Sequence, residues 1–193
     1  MFFVTKIHFK KYLINTVAIG IWAFCLSVFS SPMTLNISYI KLVQQQPPAL
    51  SNVLKKPENS GYLGAKLAIN DSNTTGKFLQ QTFELSYVET TQTTQFLARI
   101  ESEYQQGQRI FIVDAPLPLL VQTDHWAKNK AVMLFNISES ADELRTSQCL
   151  AAVFHTIPSN AMKSDALAQW LLHRRMNKVL LIRGSKTEDV QLA

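Results

Sequence analysis

Residues Gly61 to Phe78 read GYLGAKLAINDSNTTGKF, and this segment sets the architecture expected for the chain. Within it, Leu63, Leu67 and Ile69 recur at helical spacing, so the pattern predicts a helix with one buried face. Gly64 is expected at a point where this helix lies close against a sheet. Strand-like segments precede and follow the helix, so the whole unit is expected to be β-α-β.

Both ends of this helix carry residues that favour helix termini. Glu58 and Asn59 stand just ahead and are expected to bond its first free N–H groups. The cluster Asn70 to Gly76 is rich in residues that favour caps and turns, so the helix is expected to end there. The segment from Asp71 also fits the first positions of a calcium-binding loop, but Thr82 stands where such a loop needs a bidentate Glu.

Apolar strand patterns alternate with helical patterns along the rest of the chain. Arg109–Val113 and Ala131–Phe135 read RIFIV and AVMLF, near-continuous apolar runs that are typical of parallel strands covered on both faces. Strands are predicted at 35–43, 81–89, 109–113, 131–135, 150–156 and 178–182, and helices at 91–106, 117–130 and 158–176. This alternation predicts an α/β domain with a doubly wound, mostly parallel sheet and right-handed crossovers.

The charge of the chain is unevenly distributed. The formal charge is +5, but residues 1–31 hold three lysines and no acid, which leaves 16 basic and 14 acidic residues in the remainder. No basic cluster remains there, so the composition gives no support for a nucleic-acid partner. With 47% hydrophobic and 17% charged residues, the chain is expected to fold rather than to stay disordered.

The amino-terminal segment has the organisation of a secretory leader. Lysines between residues 6 and 11 are followed by the apolar run 12–29 and then by small residues. Residues 1–31 are therefore predicted to be a signal peptide that directs export. Val28 and Ser30 fit the small-residue cleavage pattern imperfectly, so an uncleaved membrane anchor stays open as an alternative.

The sequence lacks the motifs of the common cofactor and metal enzymes. It contains no dinucleotide fingerprint, P-loop, H-E-x-x-H or C-x-x-C motif, so no cofactor and no metal is predicted. Cys149, His155 and Asp142 could form a nucleophile set, but nothing in the local sequence exposes the thiol beside the histidine. Cys149 is better interpreted as a small buried hydrophobe, because a lone cysteine in the exported chain cannot form an internal disulfide. No enzymatic activity is predicted.

The first predicted helix also carries a family pattern. The pattern G-x-x-L-A-I-x-x-x-N-x-x-G resembles the first helix of periplasmic solute-binding proteins of the branched-chain amino acid transporter type, and its residues are Gly64, Leu67, Ala68, Ile69, Asn73 and Gly76. The strings PPALSN at 47–52, PENSGYLGA at 57–65 and NDSNTTGKF at 70–78 are more specific. They resemble a subfamily of bacterial ABC-transporter binding proteins associated with PQQ-dependent alcohol oxidation. The resemblance covers the chain from Ile37 to Asp189.

The resemblance implies the first lobe of a type 1 periplasmic-binding-protein fold plus the start of a second lobe. Residues 32–157 would form the first lobe, and residues 158–193 would begin a truncated second one. The implied function is binding without catalysis, as the periplasmic component of an ABC importer linked to PQQ-dependent alcohol metabolism. The expected partners are a small-molecule ligand of unknown identity and the membrane subunits of the transporter. The alternative is a stand-alone single-lobe periplasmic interaction protein without a transport role.

Two turns are the candidate ligand contacts, because open α/β sheets bind ligands at the carboxyl ends of their strands. These turns comprise Asp114, Ala115, Pro116, Asn136, Ile137 and Ser138. In the resembled family the corresponding turns contact the ligand through backbone N–H groups and a hydroxyl. Asp114 departs from that pattern, and its carboxylate would repel an acidic ligand group and favour a cation, a metal or a polyol. Alternatively, Asp114 caps the following helix, and Asn136 and Ser138 are plain turn residues.

Three further features bear on the same site. The long segment Gln44–Pro57 follows the first strand and is either a wall of the ligand cleft or a passive connection. His155 is expected to be a hydrogen-bonded structural residue at a hinge, and Arg145 a member of a surface ion pair.

Buried helix faces are predicted at Phe96, Leu97, Ile100, Ala161, Leu167, Ala168, Leu171 and Leu172.

Overall fold

The computed structural model describes residues 31–44, 57, 59–176 and 178–185. Residues 1–30 of the predicted signal peptide, most of the Gln44–Pro57 segment and the expected cap residue Glu58 lie outside the described residues. The elements are β1 (Met33–Leu42), α1 (Ser60–Leu79), β2 (Gln81–Thr90), α2 (Thr93–Gln105), β3 (Ile110–Asp114), α3 (Leu117–Ala127), β4 (Met133–Asn136), a 3₁₀ turn (Asp142–Arg145), β5 (Val153–His155) and α4 (Asn160–His173). No helix within these ranges has the length and apolar character needed to cross a membrane.

A five-stranded parallel sheet organises the chain, in the order β2-β1-β3-β4-β5. The pairing of β1 with β2 runs from Met33 opposite Gln81 to Leu42 opposite Thr90. The order reverses between β1 and β3, so the chain winds first to one side and then to the other, and the predicted doubly wound α/β class is confirmed. Parallel strands all end on the same side of a sheet, and we call this side the carboxyl edge.

The main core lies on the sheet face that α2 and α3 cover. Its largest members are Ile40, Leu42, Phe96, Ile100, Phe111, Val113, Leu119, Leu120, Leu134 and Leu144. Phe96 and Ile100 are fully buried, as the helical pattern predicted. On the same face, the hydroxyls of Ser38 and Ser86 donate to the Glu103 carboxylate at 2.7 and 3.0 Å. These hydrogen bonds tie α2 to β1 and β2 where the apolar contacts end.

The opposite sheet face is covered only in part. Helix α1 packs beside β2, whereas Met133 on β4 and Phe154 on β5 are 43% and 55% exposed. The Phe154 ring stacks on that of Phe135, with 5.5 Å between the centroids. The prediction that the strand at 131–135 is covered on both faces is therefore wrong for the described residues, because none of the described helices crosses this side of it.

Helix α1 is longer than the sequence predicted. It continues through Asn70–Gly76 and ends at Gln80, whose left-handed backbone (φ 56°) directs its N–H to the Gly76 carbonyl. Asn73, predicted to be a turn residue, lies inside the helix and bonds the next strand. Its Nδ2 donates to the Phe83 carbonyl (2.9 Å), and its Oδ1 accepts from the Phe83 N–H (2.8 Å). The helical backbone also excludes the calcium-loop hypothesis.

Most of the face of α1 that was predicted to be buried points outward, although Ile69 on that face is half-buried. Leu63 and Leu67 are 49% and 63% exposed. A Cβ on Gly64 would meet no atom within 4 Å, so the expected close approach to the sheet does not occur there. It occurs at Gly76, where a Cβ would overlap the Gln81 carbonyl. The helix packs beside an edge strand, so most of its circumference stays at the surface.

The last elements stand apart from the sheet. Helix α4 begins after Ser159, whose hydroxyl accepts from the Met162 N–H at 3.3 Å, and none of its residues is buried. Of the predicted apolar side, Ala161, Leu167, Ala168 and Leu172 are therefore exposed and Leu171 is half-buried. The segment 178–182 is not the predicted strand, and its apolar residues are between 63% and 85% exposed. A strand needs a neighbour for its backbone hydrogen bonds, and none of the described strands lies beside this segment.

Replacing Asn73 tests the bond between α1 and β2. Asn73→Ala removes both hydrogen bonds to Phe83, so we expect the free energy of unfolding to fall by about 1–3 kcal/mol, measured by urea denaturation. Asn70→Ala, at an exposed position of the same helix, is the matched control and should leave the stability unchanged or raise it slightly. Equal effects of the two substitutions would contradict the structural role of Asn73.

Candidate functional site

The turn after β4 is built on the side chain of Asn136, which is fully buried. Its Oδ1 accepts from the N–H groups of Ser138 (3.2 Å) and Glu139 (2.9 Å). Its Nδ2 donates to the Glu139 carbonyl (2.6 Å) and to Nδ1 of His155 (2.9 Å). The amide uses all its donors and acceptors, so it holds the turn and the end of β5 in one arrangement.

Ser138 and Glu139 connect this turn to the end of β3. The Ser138 hydroxyl accepts from the Ala115 N–H at 3.0 Å and lies 3.3 Å from the Ala115 carbonyl oxygen. The Glu139 carboxylate accepts from the N–H groups of Leu117 (3.0 Å) and Ala141 (2.9 Å). Glu139 therefore supplies the negative group that the N-terminus of α3 favours.

The backbone N–H groups of these turns are thus used within the chain. Ile137 donates to the Val113 carbonyl at 3.4 Å, and Pro116 has no N–H. The expectation that the two turns present free N–H groups to a ligand is wrong for residues 115, 117 and 137–139, because Ser138, Glu139, Asn136 and Val113 accept from them.

The structure brings the six residues predicted from the sequence together at the carboxyl edge. Asn136 and Ala115 are buried, and Ser138 is exposed. The other three are half-buried: Asp114, Pro116 and Ile137. Asp114 does not cap α3, because Glu139 holds the Leu117 N–H and the Asp114 carboxylate bonds a tyrosine instead. Only the four half-buried or exposed residues have side chains within reach of a solute.

A cluster of three tyrosines beside Asp114 was missed in the sequence. The ring centroids lie 5.8 Å apart for Tyr39 and Tyr62, 5.6 Å for Tyr39 and Tyr87, and 4.4 Å for Tyr62 and Tyr87. The Tyr39 hydroxyl donates to Oδ2 of Asp114 at 2.9 Å, and the Tyr87 hydroxyl donates to Oε2 of Glu89 at 2.6 Å. Strand alternation in the sequence could have indicated this cluster, because it places Tyr39 and Tyr87 on faces of their strands, and the two residues pair in register.

Burial and the neighbouring carboxylates keep these hydroxyls protonated. The pKa of Tyr87 is raised to about 12, first by burial and then by the hydrogen bond to Glu89 and the charges of Glu89 and Asp114. The pKa of Tyr39 is also raised, by its burial and by the adjacent Asp114 carboxylate. Both phenols therefore act as hydrogen-bond donors at neutral pH.

Gly61 allows the start of α1 to approach the tyrosine cluster. A Cβ at this position would overlap the Tyr39 hydroxyl and lie 3.2 Å from Cδ1 of Ile137. Asn59, expected to cap this end of the helix, makes no side-chain hydrogen bond to the first turn. The N-terminus of α1 thus adjoins the ends of β1 and β4 at the carboxyl edge.

The 3₁₀ turn fastens the segment that follows β5. Nη2 of Arg145 donates to the Ile157 carbonyl at 2.5 Å, instead of forming the predicted surface ion pair. The Asp142 carboxylate accepts from the Ala161 N–H at 3.0 and 3.2 Å and so caps α4. Hydrogen bonds from Ser159 and Ala161 hold the pKa of Asp142 below its usual value.

The nucleophile set considered from the sequence is not formed. Cys149 is exposed rather than buried, and it lines a surface pocket with His125. His155 bonds Asn136, which confirms its predicted structural role, and Asp142 caps α4. Within the described part of the chain, no three or more His, Cys, Asp or Glu side chains form a group that could hold a metal.

Comparison with solved structures identifies the fold. The chain is similar to an ABC transporter substrate-binding protein from Desulfitobacterium hafniense, with 12% identity over 83% of this chain and 44% of that one, at a TM-score of 0.57. It is also similar to the leucine-, isoleucine-, valine-, threonine- and alanine-binding protein from Brucella ovis in its closed conformation. That likeness has 17% identity over 76% of this chain and 37% of the other, at a TM-score of 0.54.

The chain therefore shares its fold with part of these two binding proteins, which agrees with the fold that the resemblance implied. The chain spans less than half the length of either of these structures. No protein-family model and no curated protein matches the sequence.

Two glycines of α1 provide a matched test of the approach to Tyr39. Gly61→Ala must displace the Tyr39 hydroxyl, so we expect a loss of about 1–3 kcal/mol in the free energy of unfolding. Gly64→Ala has open space around its new methyl group and should instead raise the stability by roughly 0.5–1 kcal/mol. Urea denaturation of both variants distinguishes them, and a neutral Gly61→Ala would show that the contact with Tyr39 does not constrain the helix.

The bond between Asn136 and His155 makes stability depend on pH. Nδ1 of His155 must be unprotonated, because the Asn136 amide faces it with a donor. Burial and the charge of Arg145 lower the pKa of His155, although a bond with the Leu144 backbone acts in the opposite direction. The unfolded chain then binds this proton more readily than the folded one. The stabilisation is complete above the ordinary histidine pKa of about 6.5 and is lost as the pH falls through the folded-state pKa.

We expect the urea midpoint to be lower at about pH 5 than at about pH 7.5 for this reason. His155→Gln keeps an acceptor opposite Asn136 but removes the titration, so it should flatten the histidine part of the profile. His125→Gln, at an exposed position of α3, is the control and should retain the profile of the unmodified protein. A pH profile that is unchanged in His155→Gln would show that another group causes the dependence.

Proposed function

We propose that this chain forms the first, ligand-contacting lobe of a periplasmic solute-binding protein that serves an ABC importer. The observation that carries the proposal is the Tyr39–Asp114 hydrogen bond, which crosses from β1 to β3 at the point where the strand order reverses. Ligands of open α/β sheets bind in the crevice at this point. The fold likeness to two binding proteins supports the same conclusion.

We assign direct ligand contact to the accessible residues of the two turns, Asp114, Pro116, Ile137 and Ser138. The other two predicted contacts, Ala115 and Asn136, are buried and act by positioning their neighbours. Asn136 fixes the turn that carries Ser138, and Ser138 in turn bonds both backbone groups of Ala115. We propose binding without catalysis, as the sequence resemblance implies.

A second lobe would complete the cleft, and we propose that residues 158–193 begin it, so that the chain is an incomplete member of its class. Two exposed apolar surfaces support this proposal: α4, which buries no residue, and the segment 178–182. Both would be covered by further residues of a second lobe. Hinge closure about the segment after β5 would then bring the two lobes together on the solute.

The finer assignment rests on the sequence strings at 47–52, 57–65 and 70–78. On that basis we propose that the solute belongs to PQQ-dependent alcohol metabolism. We further propose that residues 1–31 export the protein to the periplasm and that its partners are the membrane subunits of the transporter. The alternative of a single-lobe interaction protein assigns the exposed apolar surfaces to a protein partner instead.

Amide NMR of the full chain tests the position of the site. Small amines, alcohols, amino acids and sugars, each added at millimolar concentration, are the probes. We expect at least one class to shift the amides of residues 114–117 and 137–139, and to leave Gly107 and Lys130 at the opposite edge unchanged. Ser138→Trp should abolish these shifts by filling the edge, whereas Ser102→Trp, at an exposed position of α2, should not.

Absence of any shift across the whole panel, or shifts confined to the opposite edge, would refute the proposed site. Binding of a protein partner through α4, with no solute response, would favour the interaction-protein alternative.

A further inference from the structure

The two turns of the carboxyl edge are poor in donors for a ligand carboxylate. The N–H groups of 115, 117 and 137–139 already have acceptors inside the chain. Two of those acceptors, Ser138 and Glu139, come from the neighbouring turn, so releasing an N–H group would break the link between β3 and β4. A carboxylate placed at these turns would also face the charge of Asp114 at short range.

The same edge is rich in acceptors. In the parallel register Lys41 pairs with Glu89 on one side and with Asp114 on the other, so these three side chains form one row on one face. Two residues earlier on the same face, β1 and β2 carry Tyr39 and Tyr87. Their hydroxyls donate to the carboxylates of Asp114 and Glu89, respectively. The described charged groups here are the Lys41 ammonium, the N-terminus of α1 and two carboxylates, and each carboxylate accepts a tyrosine proton.

The tyrosine cluster limits how a ligand can lie. Its centroids are 4.4 to 5.8 Å apart, so the rings are in contact and leave no space for a group between them. Tyr62 and Tyr87 are half-buried, so each presents part of a ring to solvent beside the carboxylates. An apolar substituent can pack on these rings while a charged group stays at Asp114 and Glu89.

We infer that the ligand of this lobe is an organic ammonium ion with an apolar substituent, and that the lobe discriminates against α-amino acids and other carboxylates. The inference rests on the proposed function and specifies the ligand class of the same edge. The ammonium N–H groups bond Asp114 and Glu89, because a carboxylate offers acceptors and no donor. The substituent packs on the outer rings of Tyr62 and Tyr87. An α-amino acid shares the ammonium group, but its carboxylate meets occupied N–H groups and the Asp114 charge.

Four ligands with related branched carbon skeletons test this inference: isopentylamine, leucine, isocaproate and isopentyl alcohol. Amide NMR titration of the full chain gives an affinity for each, including affinities in the millimolar range. We expect isopentylamine to shift the amides around 114 and 137–139 and to bind at least about tenfold more tightly than leucine. Isocaproate and isopentyl alcohol should bind more weakly still, because neither carries the positive charge.

Asp114→Asn is the decisive variant, because its amide oxygen still accepts from the Tyr39 hydroxyl while the charge is removed. It should weaken isopentylamine binding at least about tenfold and narrow the preference over isopentyl alcohol. Asp165→Asn, at an exposed position of α4, is the control and should leave both affinities unchanged. The amide spectra of the variants without ligand show whether each remains folded, and Glu89→Gln provides a second reading of the same charge effect.

Tighter binding of leucine or isocaproate than of isopentylamine at this edge would overturn the inference and leave the proposed function standing. Equal binding of isopentyl alcohol and isopentylamine would overturn it as well, because the charge would then be irrelevant. If no solute of this set or of the broader panel shifts the edge, the inference and the proposed function fail together.

Discussion

The geometry of the carboxyl edge depends on the hydrogen bonds made by the buried side-chain amide of Asn136. Its oxygen closes the turn to Ser138 and Glu139, and its nitrogen bonds the end of β5 at His155. Water has no access to this amide, so a lost partner would leave a buried polar group unsatisfied. Through Ser138 and Glu139 the same amide controls where the end of β3 and the start of α3 lie, and four elements are positioned by one side chain.

The loop after β4 also determines what charge this edge presents. Glu139 bonds the first turn of α3, and Asp142 bonds the first turn of α4. The amino ends of these helices favour anions, and the protein fills both with its own carboxylates. In the proposed function, a solute meets side chains rather than backbone N–H groups at these turns. Its selectivity then depends on side-chain types, above all on Asp114.

Local sequence patterns were sufficient for the class of fold but not for the contacts of its surface. The apolar runs at 109–113 and 131–135 located two inner strands, and helical spacing identified Phe96 and Ile100 as core residues. Turn propensity at Asn73 failed because its side chain bonds Phe83, and this long-range bond outweighs a weak local preference.

Contacts between distant residues account for most of what the sequence could not show. The bond from Leu117 to Glu139 spans 22 residues, and the Tyr39–Asp114 bond spans 75, so neither has a local signature. The apolar pattern of α4 indicates a face that favours burial, yet it does not say which residues cover it. The apolar residues of α4 are mostly exposed, so the amphipathic pattern predicted the helix correctly but not its burial against other residues.

In the proposed function, the Tyr39–Asp114 pair connects the packing of α1 to ligand binding. Tyr39 is buried under Gly61 at the start of α1, and its hydroxyl bonds the Asp114 carboxylate at the reversal of the strand order. A cation that bonds Asp114 shares this carboxylate with Tyr39 rather than displacing it, because an ionised carboxylate accepts several hydrogen bonds. The tyrosine thus orients Asp114 before a solute arrives, and the cost of ordering the carboxylate is met during folding. Close packing of α1 on β1 is therefore a condition for the correct placement of the Asp114 carboxylate at the carboxyl edge.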